Sequence, residues 1–313
     1  MAVLILAEIE PTDTWFNTFI TQLKKKQPNL DLRVWPECGN PEEIEIVLAW
    51  WPPLGVMLRF PHLKLIISLG ASVDKILADP DLPDGIPIVR LFSQSKTGQM
   101  VEYVTLAVLL FQRRFIEYQA WQRSQRWKYL PALDASSLTV GILGLGVFGS
   151  RVAQHLAAMR FPVRGWSRTP KAIAGVECFH GQEQFQVFLS KCQVLVCLLP
   201  LTPQTEGILC HETFSALPPG AYLINVGRGK HLVEADLLNG LDSGQIIGAC
   251  LDVFHTEPLP RDHPFWSHPR IIITPHIAAP GQPDEIASVI IDTINCSRSG
   301  KPLDYAIDRN LGY

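Results

Sequence analysis

The stretch Gly141-Ile142-Leu143-Gly144-Leu145-Gly146-Val147-Phe148-Gly149 decides the fold. A strand-like run, Thr139–Leu143, leads into G-x-G-x-x-G, and a helical pattern, Ser150–Met159, leads out of it. In that context the first glycine makes the tight turn, the second lets a pyrophosphate approach, and the third lets helix and strand pack closely. Exposed amides at the helix start would then hold the phosphates. Gly144, Leu145, Gly146, Val147, Phe148 and Gly149 are therefore the expected cradle of a dinucleotide. A glycine-rich turn alone would be a weak signal. The second strand that follows, Val163–Trp166, completes a βαβ unit and makes it specific.

The adenine ribose should meet the end of that second strand, in Val163-Arg164-Gly165-Trp166-Ser167-Arg168-Thr169. A carboxylate there would accept from a ribose 2′-hydroxyl and repel a 2′-phosphate. The position holds Ser167, with Arg168 next and Lys171 close by, so the local charge favours the 2′-phosphate of NADPH over NADH. The alternative for these cations is a solvated basic loop.

Outward from this unit, β-branched or Leu-rich runs alternate with amphipathic stretches, the pattern of parallel sheets with crossover helices. Further strands are expected at Val194–Leu199, Tyr222–Val226, Gly248–Val253 and Ile271–Thr274. Towards the N-terminus they are expected at Val3–Leu6, Asp31–Trp35, Ile46–Ala49, Leu65–Ser68 and Ile88–Arg90. A long helical pattern, Lys96–Trp127, joins the two series, and Leu130–Ser137 reads as a linker. A last helical pattern after Gly281, carrying Ile286, Val289, Ile290 and Ile294, exceeds what the second series needs. The expected architecture is α/β: a Rossmann-type dinucleotide-binding domain (residues 98–281) inserted into a flavodoxin-like substrate domain (residues 1–97 and 282–313).

Composition narrows the partners. The 313 residues are 47% hydrophobic, ample for two cores, and the net charge of −3 is scattered, leaving no basic stripe for nucleic acid or an anionic membrane. The apolar start, Met1–Ala7, has no cationic flank and is cut short by Glu8, so it reads as a strand and not a secretory segment. The run Ile46–Leu58 carries Pro52 and Pro53 and is shorter than the ~20 residues of a membrane span. Seven cysteines without C-x-x-C suggest free thiols in the cytoplasm. His255, Glu257, Asp262, His263 and His268 lack metal-ligand spacing, and interspersed prolines break any helix that could align them, so no metal is expected.

Ligands of open parallel sheets bind beyond the carboxyl ends of the strands. Those ends carry Leu199-Pro200-Leu201-Thr202, Asn225-Val226-Gly227-Arg228-Gly229, Leu251-Asp252-Val253 and Thr274-Pro275-His276, with Glu257 just after the third. Reducing a keto acid needs a cation for the carboxylate, a proton donor for the developing alkoxide, and a hydride source at the carbonyl carbon. Arg228 supplies the cation. His276 is the natural acid, with Glu257 favouring its imidazolium. Asp252 suits orienting the nicotinamide. Singly these residues are a surface cation, a turn acid and a strand-end histidine; jointly they indicate catalysis.

The motifs G-L-G-V-F-G, L-L-P-L-T-P-Q-T, N-V-G-R-G, L-D-V-F-x-x-E-P-L and T-P-H-I-A, in this order, resemble the D-2-hydroxyacid dehydrogenase family over nearly the whole chain. The resemblance implies that Arg228, Glu257 and His276 are the catalytic arginine, glutamate and histidine. It implies cofactor contacts from Leu199, Pro200, Thr205, Val226, Gly227, Asp252 and His276, besides the glycine loop, Ser167, Arg168 and Lys171. Leu69-Gly70-Ala71-Ser72-Val73-Asp74 looks like the family's loop whose amides hold the substrate carboxylate, through Gly70, Ala71 and Ser72; by itself it is also an ordinary strand-to-helix turn.

Within the family, A-W-W-P-P, L-G-A-S-V-D, F-P-V-R-G-W-S-R-T, G-A-Y-L-I-N and the ending Arg309 to Tyr313 are most similar to the glyoxylate/hydroxypyruvate reductases. That subgroup implies a cytoplasmic homodimer that uses NADPH to reduce glyoxylate and hydroxypyruvate. It also places Trp50 and Arg59 at the substrate pocket, residues that read equally well as a core tryptophan and a solvated arginine. Two departures bear on substrate: Phe92-Ser93-Gln94-Ser95-Lys96-Thr97 differs from the usual acidic, glycine-rich hinge, and Trp51 stands where a histidine is usual. The competing readings are a D-lactate or D-3-phosphoglycerate type dehydrogenase and a nicotinamide-sensing regulatory protein of the same fold.

Overall fold

Short runs of β-branched and leucine residues, apolar on both faces, form two parallel sheets. The computed structural model describes residues 2–7, 13–309 and 311–312; Met1 and Glu8, and Asn310 and Tyr313 of the chain's ending, lie outside the described residues. The first sheet comprises β1 (Ala2–Leu6), β2 (Asp31–Val34), β3 (Ile44–Ala49), β4 (Leu65–Ser68) and β5 (Ile88–Arg90). The second comprises β6 (Val140–Leu143), β7 (Val163–Ser167), β8 (Val176–His180), β9 (Val194–Cys197), β10 (Ala221–Asn225), β11 (Ile246–Leu251) and β12 (Ile271–Ile273). β1, β4, β6, β9 and β10 are buried along their whole length, as strands covered on both faces must be.

The first sheet runs β2-β1-β3-β4-β5, a flavodoxin-like order, and the second runs β12-β11-β10-β9-β6-β7-β8, the doubly wound dinucleotide-binding order with one added edge strand. In the second sheet the winding reverses between β6 and β9. The carboxyl ends of those two strands are where this topology places a ligand.

The chain divides into two compact units, residues 1–96 with 281–313, and residues 97–280. In the first unit the helix Pro283–Arg298 packs Ile286, Ala287, Ile290 and Ile294 into one core with Phe16, Phe19 and Leu23 of the helix Thr14–Lys26. The Trp15 indole N–H donates to the Gly281 carbonyl at 2.9 Å, tying the returning chain to its start. In the second unit, aromatic and leucine residues fill one face of the sheet, and aliphatic residues with Tyr222 fill the other.

Three expectations need correction. The long helix over 96–127 is two helices, Gln94–Gln112 and Phe115–Arg123, because Arg114 takes a left-handed conformation (φ 56°) that ends the first. The strand β8 escaped the sequence reading because it is a half-exposed edge with polar Glu177 and His180, so its hydrophobic signal is weak. Strands expected to reach Leu199, Val226, Val253 and Thr274 stop one or two residues earlier, where the chain turns into the loops that carry the site. No helix among the described residues is long and apolar enough to cross a membrane.

Candidate active site

Each glycine of the G-x-G-x-x-G loop has a distinct physical reason. Gly144 has φ +98°, and a side chain there would meet the Leu198 carbonyl at 2.9 Å. Gly149 is packed harder: a Cβ would lie 1.8 Å from the Gly144 carbonyl oxygen, so no other residue fits without moving the turn. Gly146 caps the helix Val147–Ala158, and nothing lies within 4 Å of where its Cβ would be. The first helical hydrogen bond is donated by Ser150 to the Gly146 carbonyl (3.0 Å), so the amides of the first turn precede it and point out of the helix end. An open approach at the middle glycine and a positive helix end fit a pyrophosphate.

At the end of β7 Ser167 is buried and its hydroxyl donates to the Thr169 carbonyl (2.8 Å), turning the chain so that Arg168 and Lys171 are exposed beyond it. Arg164 of the same segment does structural work: it is buried, pairs with Glu177 at 2.8 Å, and donates to the carbonyls of Val187 and Phe188. At the end of β9, Thr205 closes its own loop by donating to the Pro200 carbonyl at 2.7 Å.

The loop after β10 is held by two residues to which sequence reading assigned no role. Asn225, fully buried, donates to the Arg228 carbonyl at 3.0 Å and accepts from the Gly227 amide at 3.2 Å. His231, also fully buried, accepts from the Arg228 amide through Nδ1 (3.0 Å), which leaves Nε2 to donate to the Pro200 carbonyl (3.2 Å). A Cβ on Gly229 would lie 1.9 Å from the Phe254 carbonyl carbon, so this loop and the one after β11 run in contact. Arg228 is thereby set on a fixed backbone while its side chain stays half-exposed.

Beyond β11 and β12 the structure joins the two residues the sequence separates by a proline-rich stretch. His276 Nδ1 lies 2.8 Å from Glu257 Oε2, and Glu257 Oε1 accepts from the Phe254 amide at 2.8 Å. A carboxylate can only accept, so Nδ1 carries the proton of this bond. Burial alone would raise the Glu257 carboxyl. The hydrogen bond and charge of His276, the Phe254 amide and the charge of Arg228 outweigh it and hold the group below the ordinary carboxylate value.

Asp252, expected towards the nicotinamide, is built into the turn that bears His276. Its carboxylate, 1% exposed, accepts from the Thr274 hydroxyl (2.6 Å) and the amides of Ile277 and Ala278 (2.9 Å each), so it builds the turn bearing His276. Burial pushes this carboxyl up, opposed by those three donors and the charge of His276. His276 itself has φ 56°, a conformation costing on the order of 1–3 kcal/mol for a residue with a side chain. That cost is met by the bonds of the turn. Of the histidine and acid group near 255–268, His255 binds the Leu232 carbonyl and His263 pairs with Glu234, and no three such residues among those described converge as a metal site.

In the first unit, Ser68 at the end of β4 donates to the Ser72 carbonyl (2.8 Å) and accepts from the Gly70 amide (3.3 Å), and the buried Lys96 ammonium donates to the Leu69 carbonyl (2.9 Å). A side chain on Gly70 would come within 3.2 Å of the Trp50 ring, so Trp50 does border the Gly70-Ala71-Ser72 loop. Arg59 is exposed and rests over the Trp35 ring, 5.4 Å from its centroid.

Residues 105–278 match the family model for D-isomer specific 2-hydroxyacid dehydrogenase, NAD binding domain. The chain belongs to the D-isomer specific 2-hydroxyacid dehydrogenases. It is similar to a 2-hydroxyacid dehydrogenase of this family from Xanthobacter autotrophicus solved with NADPH and MES: 40% identity, covering 100% of this chain and 99% of that one, TM-score 0.92. An NADPH-dependent glyoxylate/hydroxypyruvate reductase from Sinorhizobium meliloti, solved with NADP and sulfate, shares 35% identity over 100% of this chain and 99% of that one, TM-score 0.93. A probable 2-hydroxyacid dehydrogenase from Rhizobium etli, solved with NADP, HEPES and L(+)-tartaric acid, shares 36% over 100% and 99%, TM-score 0.90.

Proposed function

We propose that this dehydrogenase reduces glyoxylate to glycolate and hydroxypyruvate to D-glycerate with NADPH. The observation that carries the reading is the 2.8 Å Glu257–His276 pair in the loops that follow β11 and β12, within reach of the charge of Arg228. When bound, the nicotinamide supplies a hydride to the keto carbon. His276, tied to Glu257 through Nδ1, gives its Nε2 proton to the keto oxygen, so that 2-keto acid, hydride and proton become the 2-hydroxy acid. Glu257 stays ionised and offsets the charge of the imidazolium. Arg228 binds the substrate carboxylate and polarises the carbonyl; a carboxylate-holding role for the amides of Gly70, Ala71 and Ser72 is part of the same proposal. The glycine loop would hold the pyrophosphate, with Leu199, Pro200, Thr205, Val226 and Gly227 along the same strand ends.

Three solved relatives hold NADPH or NADP, and here Arg168 and Lys171 beside a neutral Ser167 supply the matching charge. Small 2-keto acids as substrates rest on the Sinorhizobium reductase and on Arg228 as the partner of one carboxylate. A homodimer is part of the proposal: Leu106, Phe115, Trp127 and Tyr129 lie 49–104% exposed along and just after the two joined helices, large apolar side chains of the kind a partner surface covers.

Turnover is read from the loss of reduced-cofactor absorbance with glyoxylate, hydroxypyruvate, pyruvate and phosphohydroxypyruvate, each with NADPH and NADH. The first two with NADPH should be preferred; no turnover of any would sink the reading. His276→Gln should lower kcat by roughly 10²–10⁴ while cofactor affinity holds, since proton donation acts in the transition state. An unchanged kcat removes His276 from the role. Ser167→Asp should raise the KM for NADPH relative to NADH, by setting a charge against the 2′-phosphate. An unmoved preference would mean the ribose lies elsewhere. Sedimentation of Trp127→Ser should show a shift from dimer towards monomer; a wild-type monomer would contradict the dimer.

A further inference from the structure

Tyr103, on the helix Gln94–Gln112, is far in sequence from every residue of the site, yet its hydroxyl lies 2.5 Å from the Thr274 hydroxyl. Thr274 in turn lies 2.6 Å from Asp252. The proton count fixes the direction of both bonds. Asp252 already accepts from two amides and can only accept from Thr274, so the single Thr274 proton is committed to it. The Thr274 oxygen must therefore receive the Tyr103 proton. Burial, with the Cys250 thiol 3.4 Å away, pushes the Tyr103 phenol up, so it is a neutral donor throughout the working pH range. Cys250 is likewise pushed up, to about 11, by burial, and is a neutral thiol.

We propose that Tyr103 is a positioning residue for His276: its phenol fixes Thr274 as a donor to Asp252, and the carboxylate so held shapes the turn from which His276 reaches Glu257. The turn needs such support. His276 sits at positive φ, its own amide spans the Asp252 carbonyl (2.9 Å) and the Thr274 carbonyl (3.1 Å), and the next two amides end on the Asp252 carboxylate. The chain Tyr103–Thr274–Asp252 thus ties the helix Gln94–Gln112 to the backbone beneath the acid. A hydroxyl that already accepts one hydrogen bond is a stronger donor of its own, so losing the phenol weakens the bond that opposes protonation of Asp252. The groups facing Asp252 are Thr274, the amides of Ile277 and Ala278, the His276 ring, Tyr103 and Cys250.

This inference rests on the reductase reading for its effect on turnover but not for the clamp itself, so two kinds of readout are used. Tyr103→Phe removes one oxygen and keeps the ring; Thr274→Ser keeps the hydroxyl and serves as the conservative control. In Tyr103→Phe with glyoxylate and NADPH, kcat should fall about tenfold with the Kd for NADPH within about twofold of wild type. The acidic limb of the kcat profile should move to higher pH by about half a unit, because the Asp252 carboxylate has lost support. Hydrogen–deuterium exchange of a peptide spanning 274–279 should quicken at the Ile277 and Ala278 amides. Thr274→Ser should match wild type in all three. Unchanged kcat, pH profile and exchange in Tyr103→Phe would overturn the proposal, as would a loss of kcat that tracks falling thermal stability and cofactor affinity with the acidic limb unmoved. Quickened exchange in a protein whose wild type reduces no 2-keto acid would uphold the clamp and defeat only the reductase reading.

Discussion

The bond between His276 Nδ1 and Glu257 Oε2 joins side chains from two loops that share no secondary structure, and every other feature of the second unit bears on whether those loops can hold it. Glu257 is fixed by the Phe254 amide, and Phe254 is pressed against Gly229 of the arginine loop. His276 is fixed by a turn whose amides end on Asp252. Asp252 itself hydrogen-bonds through its amide to the Asn225 carbonyl at the end of β10. A parallel sheet brings such ends together without further design, because all its strands finish on one side. Adjacent strand ends then deliver Arg228, Glu257 and His276 to one edge, each on a loop tied to its neighbour.

The polar residues of this edge divide by what they bond. Asn225, His231, Asp252 and Thr274 are consumed by backbone groups and by one another. Arg228 and His276 differ in exposure: Arg228, which donates to the Gly227 carbonyl at 2.8 Å, and His276, which is tied to Glu257 through Nδ1, are only partly buried. A buried carboxylate with three donors is a structural anchor. A partly buried carboxylate with one amide and one imidazole is a partner for a charge that comes and goes.

Much of this is legible in the sequence alone. The glycine spacing, the strand alternation and the polar strand ends are periodic or local signals, and they located the dinucleotide loop and the Arg228, Glu257 and His276 set. What escaped depends on contacts across long separations. Nothing near Tyr103 marks it as a neighbour of Thr274, and Asn225 and His231 look like ordinary residues of a turn until their bonds to Arg228 and Pro200 are seen. The bonds of Asp252 to Thr274, Ile277 and Ala278 are equally silent in the sequence, because a carboxylate at a strand end has the same signature whatever it accepts from. The break at Arg114 was hidden for a related reason: two helices with one apolar phase read as one, and a left-handed arginine leaves no mark in periodicity.

The chemistry of this site turns on the state of a single ring, and nitrogen NMR of His276 in protein labelled at histidine reads that state directly. The expected result is a neutral ring that carries its proton at Nδ1, against Glu257, and loss of that preference in Glu257→Gln. A neutral ring protonated at Nε2, with a bare Nδ1 facing Glu257, would contradict it.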